Sequence, residues 1–124
     1  MSDIGYTKEH CWCRVDGGEV VVGITDYAQE QMSELTFVEL PEVGDHVEAS
    51  SEMAVVESVK AANDVYAPIG GEIVAVNEAL QERPELVNQD PFGKGWICRI
   101  KPDCMEDVQE LLDADSYEAG LPDE

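Results

Sequence analysis

Residues 43–76 read VGDHVEASSEMAVVESVKAANDVYAPIGGEIVAV, and this stretch decides the fold. Val43, Val47, Met53, Val55 and Val56 supply apolar strand positions before Lys60. Val65, Tyr66, Ile69, Ile73, Val74 and Val76 supply them after it. Short runs rich in β-branched residues, punctuated by Gly44 and by Gly70-Gly71, are strand signals. Both halves show similar strand–turn patterns about a central short turn, which predicts two facing half-motifs rather than a tandem repeat. Lys60 stands at that turn and is the only lysine between residues 9 and 93. On position alone it reads as a solvated turn residue.

Outward from this stretch, strand signals continue. His10 to Val15 and the valine-rich Glu19 to Ile24 flank the turn pair Gly17-Gly18 and predict a hairpin. Thr25 or Asp26 can cap a short helix over Tyr27 to Leu35, with Asp26 and Gln29 at capping-box spacing. Thr36 to Leu40 predicts a strand stopped by Pro41. Asn77 to Leu80 and Pro84 to Val87 predict short helical or turn pieces, and Gly95 to Lys101 a last strand. Met105 to Leu112 has helical spacing of Met105, Val108, Leu111 and Leu112. The expected fold is mainly β: one domain over 1–124, a β-sandwich or flattened barrel with short peripheral helices and a C-terminal helix. Residues 113–124 are expected to form an acidic, partly flexible tail.

The chain carries 28 acidic and 7 basic side chains, a net charge of −21. Nucleic acid and anionic membranes are therefore excluded as expected partners. Solubility, or steering toward basic surfaces, accounts for the charge. No apolar run is long enough to span a bilayer, and Met1-Ser2-Asp3-Ile4 lacks the start of a signal peptide, so a cytoplasmic protein is expected. Cys11, Cys13, Cys98 and Cys104 lack paired metal-site spacing. Reduced cysteines and no metal are the expectation.

The letters around Lys60 add a family resemblance. Glu57-Ser58-Val59-Lys60-Ala61, followed by Asn63-Asp64-Val65-Tyr66-Ala67-Pro68, resembles the lipoyl attachment site of glycine cleavage system H proteins. Gly44, sixteen residues before Lys60, and Gly71, eleven after, match the glycine placement of lipoyl domains. Tyr6-Thr7-Lys8-Glu9-His10 with Trp12, Val22 to Gln29, Phe37 to Pro41, Pro84 to Asn88 and Gly95-Trp96-Ile97 also resemble H-protein segments, in order along nearly the whole chain. Biotin carriers of the same fold family usually flank their lysine with methionines; Val59 and Ala61 stand here.

The resemblance implies a lipoyl-domain-like barrel-sandwich hybrid and a non-catalytic carrier with lipoate covalently bound to Lys60. Such an amide-linked arm reaches roughly 14 Å by bond-length arithmetic. It would shuttle the aminomethyl group and reducing equivalents among glycine decarboxylase (P protein), aminomethyltransferase (T protein) and dihydrolipoyl dehydrogenase (L protein). Glu57 and Gly71 would aid recognition by a lipoate ligase or a lipoyl/octanoyl transferase; the plainer readings are a solvated carboxylate and a tight-turn glycine. Glu9, Cys11, Ile24 and Asp64 match positions lining the cleft for the loaded arm. A monomer is expected.

One departure stands out. The family pattern His-Glu-Trp reads His10-Cys11-Trp12 here, and a thiol holds an amine poorly compared with a carboxylate. Cys11 is either a small packed side chain or a thiol able to exchange with lipoyl sulfurs. The substitution leaves open an H-protein-like lipoate-binding protein that carries sulfur intermediates to a heterodisulfide-reductase-like complex. A lipoyl relay protein and a cofactor-free β-sandwich interaction module are further readings.

Overall fold

The computed structural model describes residues 4–7, 10–32, 34–59, 62–104, 111 and 117. Strands β1 (Ile4–Tyr6), β2 (Cys11–Asp16) and β3 (Glu19–Ile24) lead into helix α1 (Asp26–Met32). Strands β4 (Leu35–Glu39), β5 (His46–Val47), β6 (Glu52–Ser58), β7 (Ala62–Tyr66) and β8 (Gly71–Val76) follow. Two single-turn helices, α2 (Ala79–Glu82) and α3 (Leu86–Gln89), precede β9 (Cys98–Pro102).

All pairings are antiparallel. The strands form a six-stranded sheet, β1-β2-β3-β9-β8-β5, and a three-stranded sheet, β4-β6-β7. The two sheets do not close into a barrel, so the sandwich is realised and the flattened barrel is not. Val20, Val22, Ile24, Ile73 and Ile100 of the larger sheet meet Val38, Met53, Val56 and Val65 of the smaller one in a single core. Alternation sends Val20, Val22 and Ile24 to one face, whereas on β6 Met53 and Val56 both reach the core across a register shift between Glu52 and Ala54.

Three consecutive residues of β2 are buried, which simple alternation does not anticipate. Cys11 and Cys13 face the inter-sheet core. Trp12 faces the opposite way, yet the 91–95 turn covers it. Its Nε1–H donates to the Pro91 carbonyl at 3.0 Å, and its ring centroid lies 5.6 Å from that of Phe92. Trp12 pairs across the ladder with Gly23. A Cβ at residue 23 would lie 2.8 Å from the indole, so glycine there makes the seat for the ring.

Thr25 caps α1: its Oγ1 accepts from the Ala28 N–H, and its carbonyl accepts from the Gln29 N–H. The capping-box glutamine binds Asp26 instead, with Gln29 Nε2 donating to Oδ1 at 2.7 Å. The helix ends at Met32, and Leu35, expected at its end, is buried as the first residue of β4. Asn88 explains the handover, because its Oδ1 accepts from the Leu35 N–H at 2.9 Å.

The C-terminal helix expected over 105–112 lies outside the described residues except at Leu111, where the chain bends. Leu111 packs on the core and fills the space over Gly5. Within the stretch expected as a flexible tail, Tyr117 is 6% exposed and stacks on Tyr6. The remainder of 113–124 lies outside the described residues. Among the described residues no helix is long and apolar enough to cross a membrane.

Candidate functional site

β6 and β7 pair from Glu52↔Tyr66 to Glu57↔Ala62, with a register shift between Glu52 and Ala54 and regular pairing from Ala54 to the tip. Their antiparallel pairing makes the intervening residues a hairpin tip. Val59, at that tip, is 88% exposed. Lys60 and Ala61 lie outside the described residues. Glu57 is half-buried in β6, and its backbone carbonyl accepts from Thr36 Oγ1.

Gly71 opens β8, where it pairs with Pro102 of β9. Its expected tight-turn role is not what the backbone shows, because its φ is not in the left-handed region. Close approach is the constraint: a Cβ here would collide with the Lys101 carbonyl and come within 2.6 Å of Ile100 Cγ2. Gly44 is the glycine that needs its freedom, at φ +99°, and its N–H donates to the Ile73 carbonyl at 2.8 Å.

Beside the hairpin lies a cavity of about 370 Å³. Cys11 and Ile24, paired across β2 and β3, form one wall with His10. Tyr27 and Ala28 of α1 cover a second side. Val56 of β6 and residues 63–66 of β7 form the third, including Asp64. Cys11, Ile24 and Asp64, three of the four residues matched to a cleft from the sequence, thus share one cavity. The fourth, Glu9, lies outside the described residues. His10, Tyr27, Asn63 and Tyr66 join them without having been singled out. Asp64 is the one carboxylate lining the cavity among the described residues.

Cys11 is 1% exposed, and its Sγ donates to the Tyr66 carbonyl at 3.2 Å. It therefore ties the two sheets together at the cavity wall. No disulfide joins the cysteines: Cys11, Cys13 and Cys98 are buried and Cys104 is exposed. Cys98 lies 3.6 Å from Met53 Sδ in the core. Among the described residues, no group of three or more His, Cys, Asp or Glu side chains is placed to hold a metal.

A two-sheet sandwich that projects a hairpin beside a small, mostly apolar cleft is the architecture of a cofactor-carrier domain. The model of the glycine cleavage H-protein family matches residues 4–124. A glycine cleavage system H protein of Thermus thermophilus is 58% identical over 119 residues, covering 96% of this chain and 93% of the relative. One from Psychrobacter sp. is 55% identical over 121 residues, covering 97% and 96%. The crystal structure of a glycine cleavage system H protein from Mycobacterium marinum superposes with a TM-score of 0.87 at 40% identity, covering 98% of this chain and 99% of that one. The chain belongs to the glycine cleavage H-protein family. Members are lipoyl-carrier subunits rather than catalysts, hold lipoate covalently on a lysine, and work with the P, T and L proteins of the system. The sulfur-oxidation alternative raised by Cys11, and the relay alternative, find no support among these relatives.

Proposed function

We propose that Lys60 is the lipoylated residue and that the cavity beside β7 shelters the loaded arm between docking events. The observation that carries this reading is the position of the cavity, three to four residues along the strand from the hairpin tip. Asp64 stands four positions beyond residue 60 in the sequence, and four residues reach at most about 13 Å. An arm of roughly 14 Å rooted at the tip matches that span. The cavity also suits such a group chemically, with Ile24, Val56 and Val65 as apolar walls and Asp64 as a polar contact.

When bound, the lipoyl group supplies a sulfur pair that carries the aminomethyl group and reducing equivalents between partner enzymes. The chain supplies presentation and shelter. The β6–β7 ladder fixes where the amine emerges. The apolar walls exclude water from the cargo. Asp64 offers a carboxylate to an amine, in the absence of the family's glutamate at position 11. Tethering keeps the cargo at high local concentration near each docked partner.

Glu57 and Gly71 are read as recognition points for a lipoate ligase or a lipoyl/octanoyl transferase, and the protein as a cytoplasmic monomer. Glu57→Gln is the cleaner test of recognition, because a side chain at residue 71 would also disturb the β8–β9 ladder. The decisive experiment is intact mass after incubation with lipoate ligase, ATP and lipoate. The wild-type chain should gain one lipoyl increment. Lys60→Arg should gain none, keep an unchanged circular dichroism spectrum and lose glycine decarboxylase exchange activity. A lipoylated Lys60→Arg chain would overturn the assignment.

A further inference from the structure

A second cavity, of about 540 Å³, shares Tyr27 with the cleft and otherwise has its own walls. Four aromatic rings line it, those of Tyr6, Tyr27, Phe92 and Tyr117, together with the carboxylates of Asp26 and Glu30. The rings brace one another. Tyr117 is buried, stacks on Tyr6 at 4.9 Å and 13°, and has its hydroxyl 2.7 Å from both Thr25 Oγ1 and His10 Nδ1. Phe92 meets Tyr6 edge-on at 6.4 Å and lies 5.6 Å from Trp12. Tyr27 packs on His10 at 4.8 Å. Walls held in this way need little ordering when a group enters.

Helix periodicity brings Tyr27 and Glu30, and Asp26 and Glu30, to neighbouring positions on α1. Both acids are exposed, and among the described residues no basic side chain pairs with either. Gln29 gives Asp26 only a neutral donor. The Asp26 hydrogen bond, and then its charge, hold the Glu30 carboxyl above the usual carboxylate range. A cation at this rim would relieve that repulsion. Aromatic faces beside two carboxylates suit a guanidinium best. Its plane stacks on rings while its N–H fork meets carboxylate oxygens. An ammonium answers the charge but does not stack, and a hard metal ion would leave the rings unused. The net charge of −21 draws basic protein surfaces toward this rim.

We propose that this cavity is a docking socket for an arginine side chain of a partner protein, with the rings packing on the guanidinium and Asp26 and Glu30 pairing with it. The shared Tyr27 sets that contact next to the cleft. The socket does not depend on which lysine is lipoylated, so it is tested on the unlipoylated chain.

The test compares the full-length wild type with Asp26→Asn/Glu30→Gln and with a control of equal charge, Glu78→Gln/Glu82→Gln, whose sites are exposed and do not line the cavity. Calorimetry measures affinity for the P, T and L proteins. For at least one of them the socket variant should raise Kd by about 10-fold more than the control does, as expected for the loss of close charge pairs. No excess loss with any of the three overturns the proposal. NMR titration with N-acetylarginine amide should give saturable shifts centred on residues 25–30 and on the Tyr6 and Phe92 rings. The neutral isostere N-acetylcitrulline amide should give none, and the socket variant should lose the arginine response. Shifts spread evenly over the acidic surface overturn the site. Tighter binding of N-acetyllysine amide overturns the guanidinium assignment. Saturable arginine binding with unchanged partner affinity would mean that a free organic cation fits the cavity, and overturns the docking role.

Discussion

The thiol of Cys13 is pushed up to about 12 by burial, with the Gly5 backbone hydrogen bond acting the other way. Burial, and then the charge of Cys11, push Cys98 further in the same direction. At pH 8 a thiol of pKa about 12 is thiolate in roughly one molecule in 10⁴, and the thiolate is the nucleophile. Cys104 is exposed. A native-state alkylation time course at pH 8 should therefore label Cys104 first, with Cys13 and Cys98 at least about 100-fold slower. Comparable labelling of Cys13 before unfolding would contradict the packing described here. Residue identity alone could not sort these thiols. Strand alternation does place Cys11 and Cys13 on one face, but the covering of that face by β6 and β7 is a tertiary fact. The same limit applies to the cleft. Cys11, Ile24 and Asp64 could be named because they match family positions. His10 and Tyr117 are 107 residues apart, and no local pattern links them.

Among the elements, the hairpins were the most legible, because Gly17-Gly18 and the valine runs state both turn and period. The end of α1 was not, since Leu35 continues an apolar helical pattern but pairs with Ser58 in the β4–β6 ladder, its N–H bound by Asn88 of α3. Asn77 is a similar case. It reads as a turn residue, yet it is 8% exposed, and its Nδ2 donates to the Lys94 and Trp96 carbonyls at 2.8 and 2.9 Å. One amide thus staples the exit of β8 to the loop entering β9. Asn77→Ala leaves those carbonyls without their donor and should cost about 2 kcal/mol, read as a fall of about 8 °C in Tm. Asn77→Asp should be worse, because it sets a carboxylate against two carbonyl oxygens. Thermal unfolding of both variants checks this, and an Asp variant as stable as wild type would remove the staple from the account.

For the molecule as a whole, charge sets the conditions of stability. With 28 acidic and 7 basic side chains, most carboxylates can have no basic partner. Among the described residues, Arg99 binds Asp16 and Glu19, Arg83 binds Glu85, and His46 binds Asp103. Elsewhere acid meets acid: the hydrogen bond with Asp26, and then its charge, hold the Glu30 carboxyl above the usual carboxylate range. A carboxyl raised in this way binds its proton more tightly when folded. Its contribution to stability is present at low pH and disappears as pH rises through its folded pKa. The compact state also concentrates the net charge, and the unfolded chain relieves it. Salt should therefore stabilise this protein, because the Debye length falls from about 30 Å at 0.01 M to about 10 Å at 0.1 M, shorter than much of the repulsion it must screen. The arginine ion pairs act in the opposite sense, but exposed pairs contribute only about 0–1 kcal/mol each. Calorimetry at pH 7.5 should show Tm rising by several degrees, about 5 °C, between 0.01 and 0.5 M NaCl. The rise should flatten near pH 4.5, where many carboxylates are protonated. A Tm that falls with salt at pH 7.5 would mean that the ion pairs, and not the acidic surface, dominate the electrostatics of this fold.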